Sequence, residues 1–399
     1  MSGSELGHEI TDLPRGSDLS EEPRPGSAAW VTRIVETQWG VPPASAVLRP
    51  LASASGERLL SHTSGLWRID LPWGPGGEQA AFVFKAQLNA AAIRPPEFHE
   101  LKRRIMDICA GHGIPVPAAV PAVDGSVVVR QGGVDCELTP MLPGTARRSL
   151  TPAQASGVAT TGLALRSVLD HLPDNMVTAL QPYPVNPLVE EERWQVALDD
   201  ALGRLLPLAG HRTDEWGRLI APVLRQLQRC KPLLDRFAAM EADAARDASV
   251  VHGDLHRHHF LFDDDREDRV TAVLDFDNLR LGDRLLDLAW IAGTVGRVAG
   301  TWAVRQRSTA AFVRAAEGSG LLAPGEARLL MPTLLAYAVP VVVDIAKDIL
   351  ERNILDDLWI EYLDLLSPAR MAETHTLLTG RPPGPPPASR PSALPAHGL

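Results

Sequence analysis

The segment that most constrains the fold of this chain is residues 249–277, SVVHGDLHRHHFLFDDDREDRVTAVLDFD. Its two apolar runs, at about 259–262 and 270–274, flank an acidic turn and predict a β-hairpin. In an antiparallel pair, the start of the first strand lies beside the end of the second. Asp254, just before the hairpin, and Asp275, just after it, are therefore expected at the same end.

Two carboxylates at one end of a hairpin can form an acid/base pair or a metal site. Asp254 follows the His252-Gly253 turn on a loop, where it can reach a substrate, whereas Asp275 ends an apolar strand. An unpaired charge is unfavourable there, and a divalent cation would neutralise it. Phosphoryl transfer also needs a lysine on the nucleotide phosphates. Lys85, inside the apolar run AAFVFKAQL, is the candidate and requires an anionic partner.

The remaining patterns predict an α+β chain of two lobes. Residues 29–137 read as a small β-rich lobe with one helix, in EFHELKRRIMDICAGHG. Residues 138–144 would be a hinge, and 145–372 a larger, mainly helical lobe. A length of 399 residues agrees with more than one core.

Both ends of the chain are expected to be disordered tails. Residues 1–28 are polar and acidic and lack the apolar segment of a signal peptide, and residues 373–399 are rich in proline. The longest uncharged stretch, Leu329–Val343, contains two prolines and is shorter than the roughly 20 residues that span a bilayer. It is predicted to be a buried helix.

Charge and cysteine content indicate the kind of partner and compartment. A net charge of −10 gives no overall attraction to nucleic acid or to anionic membranes, so neither is an expected partner. Small molecules and cationic partners fit better. The three cysteines lie far apart and suggest no disulfide framework, which favours a cytoplasmic location. The sequence does not predict an oligomeric state.

HGDLHRHHFLF, followed by VLDFDNLRLGDRLLDLAW, resembles the aminoglycoside phosphotransferase and homoserine kinase-like family over about residues 45–300. The resemblance implies a protein-kinase-like fold with the nucleotide between the lobes and the acceptor on the helical lobe. It implies that Asp254 is the catalytic base, Asp275 the metal ligand and His252 a support for the catalytic loop. Asp287, in DLAW, is similar to the family's helix aspartate that ties down this loop.

FVFKAQ resembles the family's strand that bears the phosphate-binding lysine, which is Lys85 here. The family pairs this lysine with a glutamate from the following helix. Glu97 and Glu100 are both candidates, and the distance from the GIPVP segment favours Glu100.

Two further segments resemble nucleotide-binding parts of the family. SHTSGLWRI is similar to the loop that covers the phosphates, which implies nucleotide contacts for Ser64 and Gly65. Gly65 fits an ordinary hairpin turn equally well. CELTPMLPG resembles the hinge, which implies that the backbone near Leu138 and Met141 binds the adenine.

One position departs from the family's HGDxHxxN pattern: His259 replaces the asparagine that serves as a second metal ligand. Mg²⁺ prefers oxygen ligands, whereas imidazole suits Mn²⁺ or Zn²⁺. The resemblance implies ATP and Mg²⁺ as cofactors, with Mn²⁺ as an alternative. Our hypothesis is that Asp275 and waters carry the metal, while His259 touches phosphate or assists the metal weakly.

The leading functional prediction is an ATP-dependent kinase that phosphorylates a hydroxyl of an aminoglycoside-like, amino-alcohol or sugar acceptor. Alternatives in the same fold are a Ser/Thr peptide kinase of natural-product biosynthesis and a nucleotide-binding pseudoenzyme, the latter suggested by His259. A zinc-dependent hydrolase is the alternative from another class, because four histidines cluster in the hairpin segment: His252, His256, His258 and His259.

Overall fold

A computed structural model of the chain describes residues 23–42, 46–51, 64–71, 80–89, 92–183, 194–243, 248–299, 301 and 303–379. Most of the two predicted tails lies outside these residues. Part of the predicted C-terminal tail is structured, however, because helix α12 continues to Leu378 and buries Thr374 and His375. For residues 373–378 the tail prediction was wrong: this helix packs against two long helices of the second lobe.

The N-terminal lobe is a five-stranded antiparallel sheet in the order β1-β2-β3-β5-β4. Its strands are β1 Val47–Pro50, β2 Ser64–Leu71, β3 Ala80–Gln87, β4 Val129–Gln131 and β5 Val134–Pro140. Helix α1, Ala28–Trp39, shares a core with this sheet, where Trp30 and Trp67 contact the buried ring of Phe84 edge-on. The sequence analysis did not predict α1.

Helix α2, Pro96–Gly111, is the predicted helix, and it begins at the expected proline. Its apolar face, which includes Leu101, Ile105 and Cys109, packs in the core of the helical lobe rather than in that of the sheet. His99 and Lys102 face β5 instead. The helix therefore joins the two lobes.

The C-terminal lobe is mainly helical, as predicted. Its helices are α3 Pro152–Asp170, α4 Asp174–Leu180, α5 Trp194–Asp200, α6 Leu206–His211, α7 Glu215–Asp243, α8 Leu285–Gly296, α9 Gln306–Gly318, α10 Ala327–Lys347, α11 Leu358–Leu365 and α12 Pro368–Leu378. Thr151 caps α3 with a complete capping box. Short π-helical turns join α5 to α6 and extend α10.

Helix α10 contains the long uncharged stretch and both of its prolines. Together with its π-helical extension, it is long and apolar enough to cross a membrane by length and composition. However, 72% of its most apolar window is buried inside the protein. The described helix therefore fits the prediction of a core helix.

Five short strands of the second lobe carry the loops with the two aspartates. They are β6 Thr145–Ala146, β7 Ser249–Val251, β8 Phe260–Phe262, β9 Val270–Val273 and β10 Arg280–Gly282. Strands β8 and β9 form the predicted antiparallel hairpin, extended by β6, and β7 pairs with β10. The Asp254 loop between β7 and β8 therefore lies beside the Asp275 loop between β9 and β10.

The connection between the lobes is shorter than the predicted hinge. Residues 138–140 still belong to β5, and only 141–144 link it to β6. Gly144 adopts a positive φ of 106°, and a side chain there would lie 2.6 Å from the carbonyl oxygen of Phe262. Glycine is therefore required where the hinge meets the hairpin.

Candidate active site

The loop that carries Asp254 is fixed by a buried carboxylate. Asp287, in the first turn of α8, accepts hydrogen bonds of 2.9 Å from the backbone N–H groups of both His252 and Gly253. Arg166 donates to the same carboxylate at 2.7 Å, and both side chains of this ion pair are completely buried. The role that the family resemblance implied for Asp287 agrees with these contacts.

His252 links the catalytic loop to the end of β9. Its Nε2 lies 3.0 Å from the carbonyl oxygen of Leu274, which can only accept, so Nε2 carries the proton. Its Nδ1 then accepts a hydrogen bond of 3.3 Å from the backbone N–H of Asp254. Burial lowers the pKa of His252 to about 4, and the ring is therefore neutral. The side chain holds two loops together and has no charge to contribute.

The environment of Asp254 raises the pKa of its carboxyl group. Burial raises its pKa to about 6, and the nearby carboxylates of Asp275 and Asp287 act in the same direction. Asn278 is within 3.4 Å of its Oδ2, and Nε2 of His256 is 3.7 Å away. A carboxylate whose pKa lies near neutrality is suited to accept a proton from a substrate.

Asp275 occupies an unusual backbone conformation at the end of the hairpin. Its φ of 64° and ψ of 66° are left-handed, a region that non-glycine residues rarely adopt. Its Oδ1 accepts a hydrogen bond of 2.9 Å from Lys85, while its Oδ2 lies 3.5 Å from Nε2 of His259. Burial alone would raise the pKa of Asp275, but the Lys85 ammonium lowers it. The carboxylate is therefore ionised.

The partner predicted for Lys85 was wrong. Glu100 does not contact Lys85; its half-exposed carboxylate lies 3.3 Å from Arg103 on the same helix. The anions that neutralise Lys85 are Asp275 and also Asp277, whose Oδ2 lies 2.7 Å from its Nζ. The reason is the orientation of α2, which turns His99 and Lys102 rather than Glu100 towards β5.

Sequence reasoning missed a buried charge cluster beside Lys85, formed by His99, Lys102, Glu137 and Asp277. Lys102 lies 2.5 Å from Glu137 and 2.8 Å from Asp277, and His99 lies 3.0 Å from Glu137. Glu137 faces Lys85 across the β3–β5 pair. The second aspartate of the segment DFD indicated that Asp277 could lie near Asp275. Glu137 could be identified only from the register of β3 and β5.

His259 turns its Nε2 towards Asp275. Its Nδ1 lies 2.6 Å from the carbonyl oxygen of Asp254 and must donate to it, so the neutral ring carries its lone pair on Nε2. In that tautomer, this nitrogen and Oδ2 of Asp275 are two acceptors 3.5 Å apart. Imidazoles that bind metals are commonly fixed in this way by a backbone carbonyl. The pair therefore fits a divalent cation.

The other histidines of the segment fit a zinc site less well. Asp254, His256 and His259 place potential ligand atoms within 4.8 Å of one another. However, Nδ1 of His256 accepts from the backbone N–H of His258, so the Nε2 that faces Asp254 carries a proton. The ring of His258 instead contacts Glu361 of α11 at 3.1 Å. A neutral His256 with this tautomer turns an N–H towards the carboxylate, 3.7 Å away, and offers no Nε2 lone pair.

The residues predicted to contact the phosphates lie in a strand. Ser64 and Gly65 are the first residues of β2, paired with Gln87 and Ala86, and were wrongly placed in a loop. A side chain at position 65 would lie 2.4 Å from the ring of Trp67, so the glycine is explained by packing. The segment before them, 52–63, lies outside the described residues.

The two predicted hinge residues lie at the end of β5 and just after it. The carbonyl oxygen of Leu138 accepts from the N–H of Val120 at 2.8 Å, and the N–H of Met141 donates to Ala81 at 2.8 Å. These two backbone groups are therefore already bonded within the protein. An adenine ring at the hinge would have to use other backbone groups.

A lysine-bearing antiparallel sheet, a helical lobe and two loop aspartates at the cleft between them together define a kinase-like phosphotransferase. The sequence agrees: it matches the model of the Phosphotransferase enzyme family over residues 78–330. The chain belongs to this family.

Similar solved structures show the same fold. A spectinomycin phosphotransferase, APH(9)-Ia, in complex with ADP and spectinomycin, has a TM-score of 0.60 at 13% identity and covers 89% of this chain and 100% of its own. A microcompartment-associated aminopropanol kinase has a TM-score of 0.58 at 16% identity, covering 89% and 98%. The amicoumacin kinase hAmiN, in complex with AMP-PNP, Ca²⁺ and Ami, has a TM-score of 0.53 at 11% identity, covering 86% and 93%. No match was found among curated protein sequences.

Proposed function

We propose that this protein is an ATP-dependent kinase that transfers the γ-phosphate to a hydroxyl group of a small molecule, with Asp254 as the base. The observation that carries the proposal is the contact between Lys85 of the sheet and Asp275 of the helical lobe, beside the loop of Asp254. Lysine, metal-binding carboxylate and base are the three groups that phosphoryl transfer requires. Similar structures hold ADP or AMP-PNP, which supports a nucleotide in this cleft.

In this proposal each side chain has a separate task. Lys85 would leave Asp275 and bind the nucleotide phosphates, while Asp275 and His259 would hold a divalent cation, whose positive charge would stabilise the transferring phosphate. Asp254 orients the acceptor hydroxyl and takes its proton, and His252 keeps the Asp254 loop in place.

The surroundings of Asp254 support a compact, hydroxyl-bearing acceptor. Tyr337 of α10 and Tyr362 of α11 are both partly buried near the Asp254 carboxylate; burial first, and then this carboxylate, raise the pKa of both phenols. The ring of Trp290 lies 5.8 Å from that of Tyr337. Aromatic rings beside a carboxylate suit an amino sugar or amino alcohol, which has apolar faces and a cationic amine.

The direct test is nucleotide turnover by the purified protein with Mg²⁺ or Mn²⁺, screened over amino sugars, amino alcohols, sugars and peptides. We expect acceptor-dependent release of ADP that falls roughly 10²–10⁴-fold in Asp254→Asn, because the base is lost. Asp264→Asn, which removes an exposed carboxylate of the hairpin turn, is the matched control and should keep full activity.

Three outcomes would contradict the proposal in different ways. Nucleotide binding without turnover for any acceptor would identify a pseudoenzyme. Turnover stimulated only by peptides would identify a peptide kinase. An absence of nucleotide binding would remove the kinase assignment of the cleft altogether.

A further inference from the structure

Lysine is rare in this protein, which has only four lysines among its 39 Lys and Arg residues. Two of the four, Lys85 and Lys102, lie together in the candidate active site, where both contact Asp277. The other two form partly exposed ion pairs: Lys231 with Asp235 at 2.6 Å and Lys347 with Asp200 at 3.4 Å. A lysine is a compact point charge, whereas arginine is a planar fork. The use of a second lysine at this site therefore calls for an explanation.

Lys102 connects three parts of the molecule. It lies on α2, whose apolar face is anchored in the helical lobe, and its side chain is only 8% exposed. Its ammonium lies between Glu137 of the sheet and Asp277 of the loop after β9. Burial alone would lower the pKa of Lys102, but the carboxylates of Asp277 and Glu137 raise it, so the ammonium stays charged.

The two oxygens of Asp277 have different partners. Oδ2 contacts Lys85 and Oδ1 contacts Lys102. In the proposed reaction, Lys85 moves from the carboxylates to the phosphates. Lys102 cannot follow without giving up its contact with Glu137, a carboxylate that is only 16% exposed and is otherwise contacted by His99, and this loss is costly. Its contact with Asp277 is the one expected to persist.

We propose that Lys102 is a positioning residue of the metal–nucleotide site: it holds Asp277 beside Asp275 when Lys85 turns to the phosphates, and Glu137 in turn holds Lys102. This inference rests on the proposed function. It implies that Asp277 supports the divalent cation. It also implies that the residue of α2 that acts at this site is a lysine, whereas the family resemblance implied a glutamate.

The test must separate positioning from simple charge neutralisation. Lys102→Met alone removes the lysine contact of the mostly buried Glu137 and leaves it only the weaker cation His99, so this variant is expected to destabilise the fold. The double variant Lys102→Met/Glu137→Gln removes one positive and one negative charge and keeps similar volumes. Glu137→Gln alone and Lys231→Met, which breaks an exposed lysine–aspartate pair, are the controls.

The readout is the Mg²⁺ concentration that gives half of the thermal stabilisation by ADP, measured by calorimetry without any turnover. We expect the double variant to need about tenfold more Mg²⁺, the range in which loss of a supporting residue usually weakens metal binding. Lys231→Met should match the wild type. A double variant with the wild-type Mg²⁺ requirement would overturn the inference, because Lys102 would then only neutralise Glu137.

A second measurement uses the wild-type protein and does not depend on the stability of any variant. Isotope-labelled lysine gives only four side-chain ammonium signals, which Lys→Arg substitutions assign. On addition of Mg²⁺ and ADP, the Lys85 signal should shift while that of Lys102 stays protected from solvent exchange. Loss of protection at Lys102 would overturn the inference. Failure of the wild type to bind ADP at all would instead reject the proposed function.

Discussion

The two sides of the candidate site are built differently. On the catalytic side, backbone N–H groups of the Asp254 loop bond to Asp287, and the neutral ring of His252 fixes the loop to β9. On the nucleotide side, Lys85 and Lys102 share the carboxylate of Asp277. The first arrangement is held by hydrogen bonds among buried groups. The second is made of ion pairs, which the proposed nucleotide and metal would have to rearrange.

This difference predicts which contacts stay fixed and which contacts change when a nucleotide binds. A buried carboxylate that satisfies two backbone donors and a guanidinium has few alternatives, because each group would otherwise be buried without a partner. A lysine between several carboxylates can change partner at smaller cost. We therefore expect the catalytic loop to be preformed and the Lys85 contacts to change on nucleotide binding.

The largest effect is expected for a substitution at Asp287, which fixes the Asp254 loop. Asp287→Asn removes the charge that neutralises Arg166, and both side chains are fully buried. Loss of one partner of a buried pair typically costs roughly 3–5 kcal/mol. Urea unfolding should show this loss, together with lower activity of the folded fraction. Asp170→Asn is the matched control, because Asp170 is the partly exposed second partner of Arg166 and should cost clearly less.

Equal losses in the two variants would contradict this account. The catalytic loop would then not depend on the two backbone hydrogen bonds that only Asp287 accepts.

The next effect concerns Asp254, whose pKa is raised to about 6 by burial from a usual value of 3.8. The carboxylate needed for catalysis forms as the pH rises through 6, so kcat/KM should fall below this pH. Folding has the opposite dependence: the protonated form is favoured in the folded state, and stability is lost as the pH rises from about 4 through 6. Activity and stability should therefore change in opposite directions across one pH range.

Asp254→Asn separates the two dependences. The variant should lose roughly 10²–10⁴-fold of its activity, yet be more stable than the wild type by on the order of 1–3 kcal/mol above pH 7, with the difference vanishing near pH 4. Denaturant unfolding of both proteins across this range is the measurement. A difference that does not change with pH would show that burial does not perturb this carboxylate.

Sequence patterns predicted the rigid side better than the responsive side. The hairpin that brings the loops of Asp254 and Asp275 together follows from alternation and turn residues that lie within 29 positions of one another. The charge cluster joins residues far apart: 35 positions separate Lys102 from Glu137 and 190 separate Lys85 from Asp275. Which side of α2 faces the sheet depends on tertiary packing, and the sequence prediction considered only Glu97 and Glu100 as partners from this helix, not Lys102.

Helix α1 is a different case, because its signal is local. Val31, Ile34 and Val35 have helical spacing, and Ser27 caps the helix by accepting from the N–H of Trp30 at 3.2 Å. The segment precedes the region that resembles the family, and family comparison therefore gave no expectation for it. Periodicity and the cap would have been sufficient to predict this helix, but they were not used.

The smallest effect is expected at His259, which contacts both the Asp254 loop and Asp275. His259 donates from Nδ1 to the backbone of Asp254 and presents Nε2 to Asp275. A nitrogen ligand favours Mn²⁺ over Mg²⁺, whereas an amide oxygen does not. His259→Asn should therefore lower the ratio of Mn²⁺ to Mg²⁺ affinity by about tenfold. The affinities would be measured in the presence of ADP, from the electron paramagnetic resonance signal of free Mn²⁺ and from competition by Mg²⁺.

His258→Asn is the control: it changes a ring that contacts Glu361 and should leave the ratio unchanged. If His259→Asn also leaves the ratio unchanged, His259 does not bind the cation, and Asp275 carries it with water.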